Sequence, residues 1–111
     1  MFVDRVKAVP GFFSHSLTAD LQKTFLDGEA KVAFATIDCD LYSSAVPVFK
    51  FIEPLLQEGT LIYMDDYFVG YRGSPRKGVA RALWEFSDYS GWKFQDFQTV
   101  GWWGKSFIAY R

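Results

Sequence analysis

An α/β fold built on a mainly parallel sheet is predicted by three features of this sequence. Two apolar runs, KVAFATID (31–38) and TLIYMDD (60–66), each end in aspartate and read as strands buried on both faces. Between them Leu41, Ala45, Val48, Phe49, Ile52, Leu55 and Leu56 recur at helical spacing, so the order is strand, helix, strand. The last stretch holds two alternating runs, WKFQDFQTV and KSFIAYR, joined by GWWG, which predicts an antiparallel hairpin at the end of the sheet.

Each element has its own local reason. DRVKAVPG alternates weakly and ends in Pro10-Gly11, which suits a short strand and a turn. SLTADLQKTFLDG spaces Leu17, Leu21 and Phe25 four apart, with Ser16 placed to cap and Gly28 just past the end, a short amphipathic helix. In the central helix Ser43 or Ser44 is the expected cap, Pro47 falls in what reads as the first turn, and Pro54 should tighten the last one. Glu58-Gly59 then ends it. YFVGYRGSPRKG is a polar, Gly-rich loop with aromatics, and VARALWEFSDYSG sets Val79, Leu83 and Phe86 on one helix face. Two strands joined by a crossover helix lie parallel and side by side, with their carboxyl ends on one edge. The expectation is one domain over residues 1–111: parallel core strands, flanking helices and a C-terminal hairpin.

Composition narrows the function classes. The chain of 111 residues is half apolar and one fifth aromatic, enough for a core, and its 12 basic and 13 acidic side chains nearly cancel. Such a balance gives no electrostatic footprint for nucleic acid or an anionic membrane. No apolar run is long enough to span a bilayer, and Met1 is followed by neither a basic segment nor a continuous apolar stretch, so no signal peptide is expected. A single cysteine, Cys39, provides no disulfide framework. A soluble, cytoplasmic protein is the default expectation. Lying between two aspartates, Cys39 should have a raised pKa and the role of a small packed residue.

Asp38, Asp40, Asp65 and Asp66 are the chemically informative residues. Ionised carboxylates in so apolar a segment need solvent, a partner or a cation. Asp38 and Asp65 each follow directly on a strand, and Asp66 follows Asp65, so the topology delivers all three to the carboxyl edge of the sheet, where ligands of open α/β sheets bind. Two readings stand: three solvated strand-end carboxylates, or a site for a hard cation such as Mg²⁺ or Ca²⁺, since oxygen ligands without His or Cys select such ions. Asp40 precedes the helix N-terminus, and helix capping is its expected role.

The stretch IDCDLYSSAVPVFKFIEPLLQEGTLIYMDDY (37–67) resembles the second half of the macrocin-type O-methyltransferases, with DCDLY and DDY as the specific motifs. VKAVPGFFSHSL, SPRKGVARALWEF and GWWGKSFIAYR are also similar to corresponding parts of that family. The resemblance implies a class I, Rossmann-like methyltransferase sheet, S-adenosylmethionine (AdoMet) as methyl donor, a sugar or similar hydroxyl as acceptor, and magnesium held by Asp38, Asp65 and Asp66. The family's first half supplies the Gly-rich turn that holds AdoMet; here no G-x-G follows an apolar run. The sequence therefore predicts a methyltransferase-like fragment, inactive alone and without AdoMet binding by residues 1–111, whose small-molecule substrate would require that other half. The alternative is a non-catalytic oligomeric α/β domain. The parent sheet has further strands beside KVAFATID, so residues 31–37 should form an exposed edge and make a homo-oligomer through a sizeable interface.

Other residues have two readings each. His15 is a candidate general base or surface. Tyr42 and Tyr67 could pack over a bound ring or sit in core and rim positions. Trp102 and Trp103 with Trp92 suggest a sugar-stacking platform; alternation predicts that Trp103 packs inward and Trp102 stays open, at an interface or not. Arg72, Arg76, Lys77 and Arg81 form either a phosphate-binding group or a solvated loop and helix start.

Overall fold

The computed structural model describes residues 6–111. A one-turn helix α1 (Phe13–Ser16) precedes α2 (Ala19–Asp27), then β1 (Phe34–Ile37), α3 (Tyr42–Ile52), a 3₁₀ turn (Glu53–Leu55), β2 (Leu61–Met64), α4 (Gly78–Ser90), β3 (Lys93–Val100) and β4 (Gly104–Tyr110). The four strands form one mixed sheet in the order β1-β2-β4-β3. β1 and β2 are parallel, as the crossover helix requires, with Ile37 beside Met64. β4 runs antiparallel to both β2 and β3. The expected α/β layout, with its parallel pair, flanking helices and C-terminal hairpin, is therefore present.

Local corrections have physical causes. The expected strand at DRVKAV does not form over residues 6–10, which are exposed and irregular, while Asp4 and Arg5 lie outside the described residues. α2 is capped by Thr18, whose hydroxyl accepts from the Leu21 N–H at 3.1 Å, so Ser16 is displaced into α1. The cap of α3 is Leu41 with no side-chain bond, and Pro47 sits in the second turn rather than the first. Pro54 converts the helix end into the 3₁₀ turn, as a residue without an N–H should. α4 ends in left-handed Gly91 (φ 81°), whose N–H bonds the Ser87 carbonyl, the usual glycine stop.

The larger correction concerns β1. Both faces of KVAFATID were expected to be buried; instead Ile37 is buried and Ala35 partly so, while Phe34 and Thr36 are exposed. Side chains alternate across a strand, and helices cover one face only. Ile37, Ile62, Met64, Phe107 and Ala109 meet Ala45, Phe49 and Ile52 of α3 and Val79, Leu83 and Phe86 of α4 in one core. Phe49 stacks on Phe86 at 5.1 Å between centroids. The opposite face carries Phe34, Leu61 and Ile108 in one cross-strand row, then Thr36, Tyr63 and Ser106 in the next. α1 and α2 bury no residue and leave that second face open. No helix of the described residues is long and apolar enough to cross a membrane.

A candidate metal centre at the carboxyl edge

Parallel register brings the acids together. Ile37 pairs with Met64, and the next N–H along β2, that of Asp65, donates to the Ile37 carbonyl at 3.2 Å. The residues that follow each strand, Asp38 and Asp65, are thus neighbours, with Asp66 next in the chain. Asp38, Asp65 and Asp66 each present one carboxylate oxygen, and the three oxygens lie within 4.8 Å of one another. Asp38 is exposed, Asp65 and Asp66 half-buried. All three predicted ligands are brought to one place.

Two further residues belong to the cluster. Asp40, expected to cap α3, instead approaches Asp66 and raises its pKa. β1 stops at Ile37, and the turn before α3 carries Asp40 to Asp66, while the cap position falls to Leu41. Tyr63 donates from its hydroxyl to Asp65 Oδ1 at 2.8 Å. Its ring lies over Gly104: a Cβ there would stand 2.8 Å from Cε1 and Cζ of Tyr63, closer than side chains pack. The second glycine of GWWG therefore leaves room for the tyrosine that orients Asp65. Sequence reading missed Tyr63 because its importance comes from a cross-strand approach.

The electrostatics are those of crowded like charges. Burial, then the adjacent Asp40, then Asp65 and Asp38, push the Asp66 carboxyl up to about 6, as expected when carboxylates share a site. Asp66 Oδ2 is buried without a hydrogen-bond partner among the described residues. Cys39 is pushed up to about 11, first by burial and then by Asp66, Asp40 and Asp38; the direction follows the sequence reading, but burial outweighs the acids. The Tyr63 phenol is raised chiefly by its bond to Asp65.

Other candidates fall elsewhere. Tyr67 is buried, its hydroxyl accepting from Trp84 Nε1 at 3.1 Å, and Tyr42 donates to Glu85; both are packing and rim residues. Tyr42 and Glu85 line a groove of about 430 Å³ between α3 and α4. Arg81 stacks over the Tyr42 ring at 4.2 Å and bonds Glu85 at 3.1 Å, which ties one member of the basic group to the helices. His15 stands on α1, edge-on to Phe12.

Trp92 is buried under the Arg111 guanidinium, at the opposite end of the hairpin from Trp102 and Trp103, so the three tryptophans form no single platform. Trp103, expected to pack, is 57% exposed and Trp102 85%, because the turn interrupts strand alternation. The Trp103 carbonyl accepts from Phe68 N–H at 2.9 Å, tying the hairpin tip to the loop after Asp66. Compared with known proteins, the chain matches no family model and no curated sequence.

Proposed function

We propose that this domain holds a hard divalent cation, magnesium in the first instance, through Asp38, Asp65 and Asp66, and that it is related to the metal-dependent O-methyltransferases its motifs resemble. The observation that carries this reading is the convergence of three carboxylate oxygens within 4.8 Å at the carboxyl edge of the parallel strands. The chemistry of the donor set fits: oxygen only, one ligand oriented by Tyr63, and a buried Asp66 oxygen without another partner among the described residues. Where acids crowd, the apo site stabilises a proton on Asp66; a cation would replace that proton. When bound, such an ion supplies Lewis acidity that lowers the pKa of an acceptor hydroxyl, from a sugar or similar alcohol.

The chain's own residues fix and polarise the site. Tyr63 holds one Asp65 oxygen, Gly104 allows that approach, and exposed Asp38 leaves the edge accessible to a small molecule. AdoMet, the methyl donor of the resembling family, would be bound by a Gly-rich turn of a kind not found in these 111 residues. We therefore assign metal binding to this chain and methyl transfer only to an assembly that also supplies the cofactor site.

Titration calorimetry with Mg²⁺ or Ca²⁺ tests this reading. A dissociation constant of about 0.1–1 mM is expected, the range of loose carboxylate sites. The Asp65→Asn/Asp66→Asn double variant should abolish the heat. Heat retained by that variant would place the ion elsewhere.

A further inference from the structure

β1 is an edge strand, and its hydrogen-bonding direction can be read from its pairing with β2. The carbonyls of Ala33 and Ile37 accept from Leu61 and Asp65 of the neighbouring segment. Backbone groups alternate along a strand, so Ala35 also faces β2. The N–H and C=O groups of Phe34 and Thr36 therefore point away from the sheet. No residue in 34–37 is proline or charged, so among the described residues this strand carries nothing that blocks a further one. Phe34 is 57% exposed.

We infer that β1 pairs with β1 of a second copy of this chain, antiparallel about a two-fold axis at Ala35, to give a continuous eight-stranded sheet. A two-fold axis through a β-ladder must place one residue opposite itself, because the two hydrogen bonds of a pair are exchanged by the symmetry. With Ala35 on the axis, Phe34 of one copy and Thr36 of the other exchange both bonds, and the symmetry repeats the exchange. Every outward group of the two residues then has a partner. The same register places the Lys31 end of each strand against the Asp38–Asp40 end of the other.

That charge pattern is what singles out a second copy over a foreign strand. None of the ion pairs among the described residues includes Asp38, Asp40, Asp65 or Asp66. Lys31 is exposed, and among the described residues it bonds only a backbone carbonyl, that of Pro54 at 3.3 Å. A strand with its cation at one end and uncompensated acids at the other is complementary to itself when antiparallel, and repels itself less in that orientation than when parallel. The hydrogen-bonding edge is independent of whether the acids hold a metal; a bound cation would weaken only the charge complementarity.

Light scattering and amide hydrogen exchange across a dilution series from about 100 µM downward, a range that brackets micromolar affinity, test the pairing. A dimer at the top of the series that dissociates on dilution is expected, with Phe34 and Thr36 amides protected only in the dimer. The Ala35 amide, bonded to β2, is the internal control and should not change. Thr36→Pro removes an outward N–H and Phe34→Lys places cations on the open edge; each should give a monomer with unchanged circular dichroism. The pairing is overturned by a monomer at about 100 µM whose Phe34 and Thr36 amides exchange freely. A dimer that survives both substitutions overturns it equally.

Discussion

The two faces of the sheet differ more than their sequences suggest. Along β1 and β2 neighbouring residues alternate in fate: Ile37, Ile62 and Met64 are buried under α3 and α4, whereas Phe34 is exposed and Leu61 and Tyr63 only half-buried. Both sets are apolar enough for a core. Composition alone cannot tell them apart; what separates them is whether a helix packs over that side. One layer of helices on one side of a sheet is a stable arrangement, but it leaves an apolar row, Phe34, Leu61 and Ile108, without a cover among the described residues.

Phenylalanine truncation on each face would sharpen that contrast most. Phe107→Ala should cost about 3–5 kcal/mol, since the ring is fully buried between the sheet, Tyr67 and Trp84 and its loss leaves a cavity. Phe34→Ala on the open face should cost below about 1 kcal/mol in dilute solution, as surface changes do. Denaturant unfolding of both variants checks the pair. Equal costs would mean that the second face is covered.

Gly104→Ala comes next. Its Cβ would drive the Tyr63 ring off its position and break the bond to Asp65, with an expected loss of about 1–3 kcal/mol from overpacking. Thermal unfolding reads the stability, and magnesium titration reads the loosened carboxylate. A melt unchanged from wild type would mean that Tyr63 leaves its place without cost.

The smallest expected effect is a pH dependence. Asp66 is raised from 3.8 to about 6 in the fold, so the folded state binds its proton more tightly than the unfolded chain does. The stability this proton contributes is fully present below about pH 4 and is lost as pH rises through about 6. Asp66→Asn should therefore stabilise the apo protein at pH 8 by on the order of 1 kcal/mol, after screening by solvent around a half-buried group, and have little effect at pH 4. Comparing the unfolding midpoints of the two proteins across that range checks the sign. Saturating Mg²⁺ should shrink the difference or reverse it, because the cation favours the ionised carboxylate.

Where the sequence was legible, local chemistry and burial agreed. The parallel pair, the α4 face of Val79, Leu83 and Phe86 and the terminal hairpin follow from periodicity, and all are present. Asp38, Asp65 and Asp66 were found because chain connectivity alone fixes which ends of β1 and β2 share an edge. Asp40 was assigned to a cap because it precedes the helix in the chain, whereas the cap position falls one residue later, to Leu41. Trp103 was misplaced because strand alternation was carried into the turn between β3 and β4. Tyr63 and Gly104 were illegible because their approach crosses from β2 to β4, 41 residues apart in order and adjacent only in space. The exposed side of β1 could not be read either: an apolar run states what could be buried, and only tertiary packing decides what is.

Cys39 has a consequence for how this protein can be studied. It is the chain's sole thiol, and with a pKa near 11 nearly all of it is protonated at neutral pH, so it should resist maleimides and air oxidation. Part of that resistance comes from the fields of Asp66, Asp40 and Asp38. Any cation that settles among those carboxylates weakens the fields and raises the thiolate fraction. The rate at which this one sulfur is alkylated is thus a built-in gauge of the charge on the acidic edge, available without attaching a label anywhere else.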